Sequence, residues 1–400
     1  MPIIESLTHH GLGRVAGEDT LLPRVLPGEE VEVGDDGVPR ILTPSADRVA
    51  ALCRHFKSCG GCAMQHAHDD FVATWKQEIV EKALQARGLT PAFRPIATSP
   101  PRSRRRAKLT GRRTKKSAMV GFHAKGTDTL IPVPDCQLLS PALMAAFPAL
   151  EALTTLAGSR KGSVDLTVTE TATGPDVLVG TEKALTPDLR ISLAALANEY
   201  GLSRLVWNDE PVVTLAPPAQ DFGGTSVVPP AGAFLQATKA GEAALQAAVA
   251  EITSGAARVI DLFAGCGTFA LPLAKRAPAH AVEGDKAMMQ ALDAGWRGGQ
   301  QLRQVTTETR DLFRNPILSE DLGPYDAAVI DPPRAGAEAQ VAELAASSIG
   351  TIAMVSCNPV TFARDAGTLV NAGFTLPWVQ VVDQFRWSPH VEIVAPFTRK

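Results

Sequence analysis

The sequence predicts an α/β protein whose C-terminal part is a doubly wound, mostly parallel sheet. Three observations predict it. After about residue 233, apolar strand-like runs alternate with helix-like stretches, the pattern of a parallel sheet covered by helices on both faces. One run, Val259-Ile-Asp-Leu-Phe-Ala-Gly-Cys-Gly-Thr-Phe269, ends in a glycine turn that opens a helix. Acidic residues stand at or just beyond strand ends, at Asp261, Glu283, Asp311 and Asp331.

The strand candidates are 258–263, 280–283, 327–330, 352–356, 379–382 and 391–396. Gly265 and Gly267 let the backbone approach a ligand closely at the sheet's C-terminal edge. The third glycine of a dinucleotide fingerprint is absent, since Ala270 and Leu271 follow. That weighs against NAD. Glu283 lies eighteen residues after Gly265, where an acid can accept both hydroxyls of a ribose.

Two further regions precede this one. Residues 1–48 read as short strands with glycine turns (Gly11-Leu-Gly13, Leu26 to Val33, Gly34 to Gly37), a small and shortened β-barrel. Residues 49–232 are mixed. A helix is predicted over 69–87, with Phe71, Trp75, Ile79, Val80 and Leu84 at helical spacing and Gly88 as its stop. A hairpin joins 164–169 to 177–179. The Pro/Gly-rich stretch 217–232 reads as a linker or a loop facing the next domain, and 233–400 forms the α/β domain.

Composition is that of a globular chain, 45% hydrophobic and 20% charged with net charge -3. A nucleic-acid surface must then be a local patch. Nine basic residues between Pro101 and Ser117 supply one: Arg102, Arg104, Arg105, Arg106, Lys108, Arg112, Arg113, Lys115 and Lys116. A solvated strand and loop is the plainer reading of the same run. No signal-peptide pattern and no apolar span of about 18 residues is found, so a cytoplasmic chain without a membrane segment is expected. In such a chain, cysteines point to metal binding or catalysis more than to disulfides. Cys53-x5-Cys59-x2-Cys62, with Cys136 as a fourth ligand, suits a [4Fe-4S] cluster or zinc. Spacing alone leaves both open, and His55, His66 and His68 would permit zinc.

Two more stretches carry chemistry. Val329-Ile-Asp-Pro-Pro-Arg-Ala-Gly336 falls at the end of the fourth strand, and Met354-Val-Ser-Cys-Asn-Pro359 at the end of the fifth. Cys357 then precedes a helix, whose N-terminal partial charge favours thiolate. A buried structural cysteine is the alternative reading. Glu392, amid Val391, Ile393 and Val394, is either a base beside Cys357 or the solvent side of an edge strand.

Together, Asp261 to Thr268, Asp331-Pro-Pro-Arg-Ala-Gly336, Ser356-Cys-Asn-Pro359 with Thr361 to Asp365, and His390-Val-Glu392 resemble the bacterial 5-methyluridine RNA methyltransferases. The resemblance is closest to the iron-sulfur 23S ribosomal RNA branch and covers nearly the whole chain. It implies a Rossmann-like class I S-adenosylmethionine (SAM) methyltransferase domain. It also implies a mixed α+β central domain holding a [4Fe-4S] cluster, and a shortened N-terminal OB-like (TRAM) barrel. The roles of nucleophile and general base fall on Cys357 and Glu392. Contacts to the methyl donor fall on Gln236, Phe263, Thr268, Glu283, Asp311 and Asp331. Thr238 stands where relatives usually carry Asn, and Thr268 and Asp311 where close relatives often do.

That reaction needs both catalytic groups. Carbon 5 of uracil is a poor nucleophile until a thiolate adds to carbon 6, and the carbon-5 proton must later be taken by a base. The target must also leave its stack. The implied substrate is a uridine in 23S rRNA, with tRNA as the alternative, and the protein is expected to be a monomer. An amino-group or cytosine methyltransferase, and an RNA-binding iron-sulfur protein with a non-catalytic nucleotide fold, are the competing readings.

Overall fold

The computed structural model describes residues 2–35, 37–159 and 162–399. Met1 and Lys400, the outer limits of the first and last predicted regions, lie outside the described residues, as does Asp36 of the predicted turn at 34–37.

The C-terminal sheet runs in the order Val305–Thr309, Ala279–Glu283, Val259–Leu262, Ala327–Ile330, Thr351–Ser356, Glu392–Thr398, Trp378–Asp383. The first five pair in parallel. Glu392–Thr398 inserts antiparallel between its neighbours. Both Val259–Leu262 and Ala327–Ile330 are buried at every position, as strands covered by helices on two faces must be. The strand order reverses between these two, which opens a crevice beyond their C-terminal ends.

The helix at Asp69–Gln85 forms as its periodicity predicts. Gly88 follows it at φ +72°. Its Val80 and Leu84 join the core of the C-terminal sheet, with Ile260, Phe362 and Val381. The short strands Ala92–Phe93 and Ala97–Thr98 extend that same sheet beside Trp378–Asp383. Residues 69–98 thus pack with the C-terminal part, although the sequence places them in the middle region. The rest of the middle region is built on a second sheet of seven strands, from Arg106–Arg113 to Glu210–Thr214, with the predicted hairpin at its centre. Helices Phe147–Ala157 and Pro187–Glu199 share its core.

The stretch 217–232 is more than a linker. It contains a hairpin, Gln220–Phe222 with Thr225–Val227. Phe222 and Val227 are buried against Leu271 and Leu292, and burying a side chain of that kind stabilises by about 2 kcal/mol. At the N-terminus, Ile4–Leu7, Leu12–Val15 and Leu21–Pro23 form one sheet and Glu30–Val33 with Pro39–Thr43 another. A single bridge, Ile3 to Glu30, links them, around a small core of Ile4, Val15, Leu22, Val25 and Val31. Among the described residues, no helix is long and apolar enough to cross a membrane.

Candidate active site

Two turns at the sheet's C-terminal edge dock on each other. Asn358 caps the helix Pro359–Asn371 by accepting from the Val360 N–H at 3.0 Å. The same amide donates to the carbonyl of Arg334 at 2.8 Å. One side chain therefore ties the Ser356-Cys-Asn-Pro turn to the Asp331-Pro-Pro-Arg turn. Cys357 lies between them, on the wall of a cleft of about 610 Å³. The N-terminal loop with Thr8, His9 and His10, helix residues Trp75, Ile79 and Lys82, and Arg334 and His390 complete that wall.

Glu392 reaches Cys357 through strand register. Ser356 pairs with Ile393 in the antiparallel ladder, so the next residues outward, Cys357 and Glu392, are neighbours. Glu392 is 2% exposed and accepts from Gln384 Nε2 at 3.0 Å. It is not the solvent side of an edge strand. Burial, and then the charge of Asp331, raise its carboxyl well above the ordinary range.

Burial also pushes the Cys357 thiol up to about 11, with Glu392 and Asp331 adding to the rise and Arg334 opposing it. The thiolate expected from a helix N-terminus is therefore outweighed in the free protein. Arg334 is the cation that favours it. Arg334 Nη2 also lies 2.6 Å from His390 Nδ1. His390 is lowered to about 4, first by burial and then by Arg334. It is neutral at neutral pH and accepts from the guanidinium.

Of the predicted donor contacts, Phe263, Thr268, Glu283, Asp311 and Asp331 end or follow strands of the sheet, and Gln236 is hydrogen-bonded to Asp331. Glu283 ties the glycine turn, accepting from Gly265 N at 3.1 Å through one oxygen and from Gly284 N at 2.7 Å through the other. Asp331 Oδ2 accepts from Gln236 Nε2 at 3.2 Å. Burial and the charge of Glu283 raise Asp331 to about 7. Phe263, at φ +63°, packs its ring 5.3 Å from that of Phe313. The Thr268 carbonyl accepts from Gln246 at 2.9 Å. Asp311 is exposed, capping its own turn at Phe313 N.

This cradle fits an adenosyl ligand on three counts. Gly265, at φ +56°, has open space where a Cβ would stand. Asp261 Oδ1 is buried with no hydrogen-bond partner, while Oδ2 accepts from Ala270 N at 2.8 Å. Asp261, Glu283 and Asp331, from three neighbouring strands, lie close enough to act on one another electrostatically, and donor hydroxyls and amines find acceptors there.

Cys53, Cys59, Cys62 and Cys136 line a single small pocket with Phe56, Phe122 and Val133. Burial raises Cys62 to about 12, and the other cysteines add to that rise. Among the described residues no group of three or more His, Cys, Asp or Glu side chains is arranged to hold a metal ion.

The basic run divides. Arg105 is 2% exposed, paired with Glu242 and donating to the Gln236 carbonyl. Arg106 reaches the Gly232 carbonyl. Arg104 is part-buried beside Cys62 and Cys136. Lys108, Arg113, Lys115 and Lys116 face solvent. The patch is smaller than nine charges because Arg104, Arg105 and Arg106 turn into the protein, where Arg105 pairs with Glu242 and Arg106 bonds the Gly232 carbonyl. Sequence reasoning did not single out Gln384 or Arg105. A neutral amide and one arginine among nine carry no pattern of their own.

A solved structure, that of Pyrococcus abyssi tRNA (uracil-54, C5)-methyltransferase with S-adenosyl-L-homocysteine, is similar over 100% of this chain and 99% of that chain, with TM-score 0.76 and 20% identity. The fold is that of the class I SAM-dependent methyltransferases. An uncharacterized RNA methyltransferase of Rhizobium meliloti is 41% identical, covering 96% of this chain and 95% of the relative. The 23S rRNA (uracil(1939)-C(5))-methyltransferase RlmD of Dichelobacter nodosus is 32% identical, over 97% and 96%. A family model described as tRNA (Uracil-5-)-methyltransferase matches residues 297–400. The chain belongs to the RNA (uracil-5-)-methyltransferase family, and it is a SAM-dependent enzyme acting on RNA.

Proposed function

We propose that the enzyme methylates carbon 5 of one uridine in 23S rRNA through a covalent bond from Cys357 to carbon 6, with Glu392 as the general base. The observation that carries this reading is the register that sets the buried Glu392 beside Cys357, which itself lines the cleft. The ribosomal substrate is favoured by the relative acting on 23S rRNA, which aligns over nearly the whole chain.

The chain's residues divide the work. Gln236, Phe263, Thr268, Glu283, Asp311 and Asp331 hold the methyl donor. When bound, S-adenosylmethionine supplies the electrophilic methyl group that carbon 5 takes. The Cys357 thiol gives its proton to solvent in the cleft, the thiolate sulfur forms a bond to carbon 6, and the electron pair of the double bond moves to make carbon 5 nucleophilic. After carbon 5 is methylated, Glu392 takes its proton. The freed pair rebuilds the carbon 5–carbon 6 double bond, and the sulfur leaves with the electrons it shared. Arg334 steadies the thiolate before attack and again as it departs.

The four pocket cysteines hold a [4Fe-4S] cluster in this reading. Four cysteines lining one pocket suit either a cluster or zinc, and the resemblance to the iron-sulfur branch favours the cluster. The strands within 1–48, the exposed basic residues and the cleft form the RNA-binding face of a monomer, with the catalytic domain at 233–400. The test is nucleoside mass spectrometry of 23S rRNA and tRNA from cells with and without the gene. Loss of one 5-methyluridine from 23S rRNA is expected. Loss from tRNA alone selects the transfer-RNA substrate, and no change in either RNA overturns the proposal.

A further inference from the structure

We propose that Gln384 is the positioning residue of the base: its amide holds Glu392 in place and couples it, through Gln236, to Asp331 at the donor crevice. This deepens the reading of Glu392 as base and rests on it.

The polarity of the network is forced from one end. The main-chain N–H of Ala237 can only donate, and it does so to Gln384 Oε1 at 2.7 Å. Gln384 must therefore present its NH₂ to the site. One hydrogen goes to Glu392 Oε2 at 3.0 Å and the other to Gln236 Oε1. Gln236, whose oxygen is now an acceptor, presents its own NH₂ to Asp331 Oδ2 at 3.2 Å. Each carboxylate thus receives one amide hydrogen on one oxygen. Gln384 engages Glu392 through Oε2, which leaves Oε1 as the oxygen to take a proton.

The amide is clamped from three sides. Lys76, fully buried, pairs with Asp383 and donates to the Phe385 carbonyl at 3.0 Å, which fixes the residues on either side of Gln384. Arg105 donates to the Gln236 carbonyl at 3.0 Å, and its main-chain N–H donates to the Ala237 carbonyl at 3.0 Å. A Cβ at Gly241 would stand 2.7 Å from Gln384 Cβ, so only a glycine lets the adjacent helix approach this side chain so closely. Gln384 itself is 2% exposed. A side chain that only filled space here would not need three of its four hydrogen-bonding positions matched.

The consequence falls on one step. Glu392 removes the carbon-5 proton only after the methyl group has arrived, and the carbon 6–sulfur bond breaks with that removal. A misplaced Glu392 leaves thiol addition and methylation intact and strands the methylated RNA on Cys357. A residue that merely supported the fold would slow every step together.

The experiment uses the full-length enzyme, methyl-labelled S-adenosylmethionine and unmodified 23S rRNA and tRNA transcripts. Gln384→Met, Gln384→Glu and Glu392→Gln are compared with the parent. Gln384→Met is expected to lose about 10²-fold in turnover, with KM for RNA within about twofold. At least about tenfold more methyl-labelled, denaturant-stable Cys357–RNA adduct is expected than in the parent, the mark of a stalled final step. Gln384→Glu keeps the shape but sets a carboxylate against Glu392. Its rate should rise with pH about one unit later than the parent's. It also serves as the deciding variant if Gln384→Met does not fold. If Glu392→Gln accumulates the adduct and Gln384→Met folds but does not, the positioning role is wrong and the base survives. If Glu392→Gln shows no adduct, the base reading falls and takes this inference with it. A parental pH profile for Gln384→Glu also overturns the proposal.

Discussion

The cysteine pocket and the catalytic cleft place the same side chain in two surroundings. Burial raises thiols in both, Cys62 to about 12 and Cys357 to about 11. In the pocket Cys62 faces the thiolates of Cys53, Cys59 and Cys136, so ionising one opposes the rest, and the cation Arg104 offsets only part of that. Thiols crowded in this way ionise together only when a larger cationic centre offsets them. In the cleft Cys357 faces two carboxylates and one guanidinium. Its ionisation is adjustable, and it stays reversible as attack and departure require. A cysteine's role here follows from the charges around it, since burial is common to both regions.

The largest effect separates the two thiol sets. Cys357→Ala should lower methyl transfer by about 10⁴-fold or more, and it should form no adduct with RNA containing 5-fluorouridine. An adduct on that variant would move the nucleophile elsewhere. Cys62→Ser should act differently. It should lose bound iron and visible absorbance yet keep affinity for S-adenosyl-L-homocysteine. Turnover should fall only about tenfold, because the effect is indirect. Ala63 and Met64, directly after Cys62, donate to the Trp387 carbonyl at 2.7 and 3.0 Å. Trp387 lies five residues before Glu392, in the loop that leads to it, so a loosened pocket reaches the base through main chain. A Cys62→Ser protein with iron still bound, or with turnover lost as completely as in Cys357→Ala, would erase the contrast.

The same contrast governs what could be read without coordinates. Val259–Leu262 and Ala327–Ile330 announced themselves because double burial demands unbroken apolar runs. Val305–Thr309 escaped because an edge strand needs only one buried face, and its Thr-Thr-Glu-Thr reads as loop. Cys357 and Glu392 were visible because the turns around them have distinctive residues. Their proximity was one of two readings left open by the residues and favoured only by the resemblance, since it depends on the antiparallel insertion of the last strand. Arg105 and its partner Glu242 lie 137 positions apart. Nothing local separates it from the solvent-facing lysines of the same run. Gln384 is one neutral amide, and its meaning comes only from the donors and acceptors that three distant segments bring to it.

Arg334 supplies the smallest predicted effect and the sharpest form of the comparison. It is the cation facing Cys357, and it lowers a thiol that burial and two acids raise. Without it the thiol moves further up, so the thiolate fraction at a given pH falls. Arg334→Met should therefore shift the alkaline rise of methyl transfer upward by about one pH unit. Near neutrality, where the rate follows the thiolate fraction, that is about a tenfold loss, and raising the pH should recover it. Arg334→Lys should recover most of the rate near neutrality, because a point charge suffices for a Coulombic role. The Asn358 bond to residue 334 uses the main-chain carbonyl, so neither substitution removes it. If Arg334→Met leaves the pH profile in place and depresses the rate at every pH alike, Arg334 acts by shape, and neighbouring charge does not set the fate of Cys357.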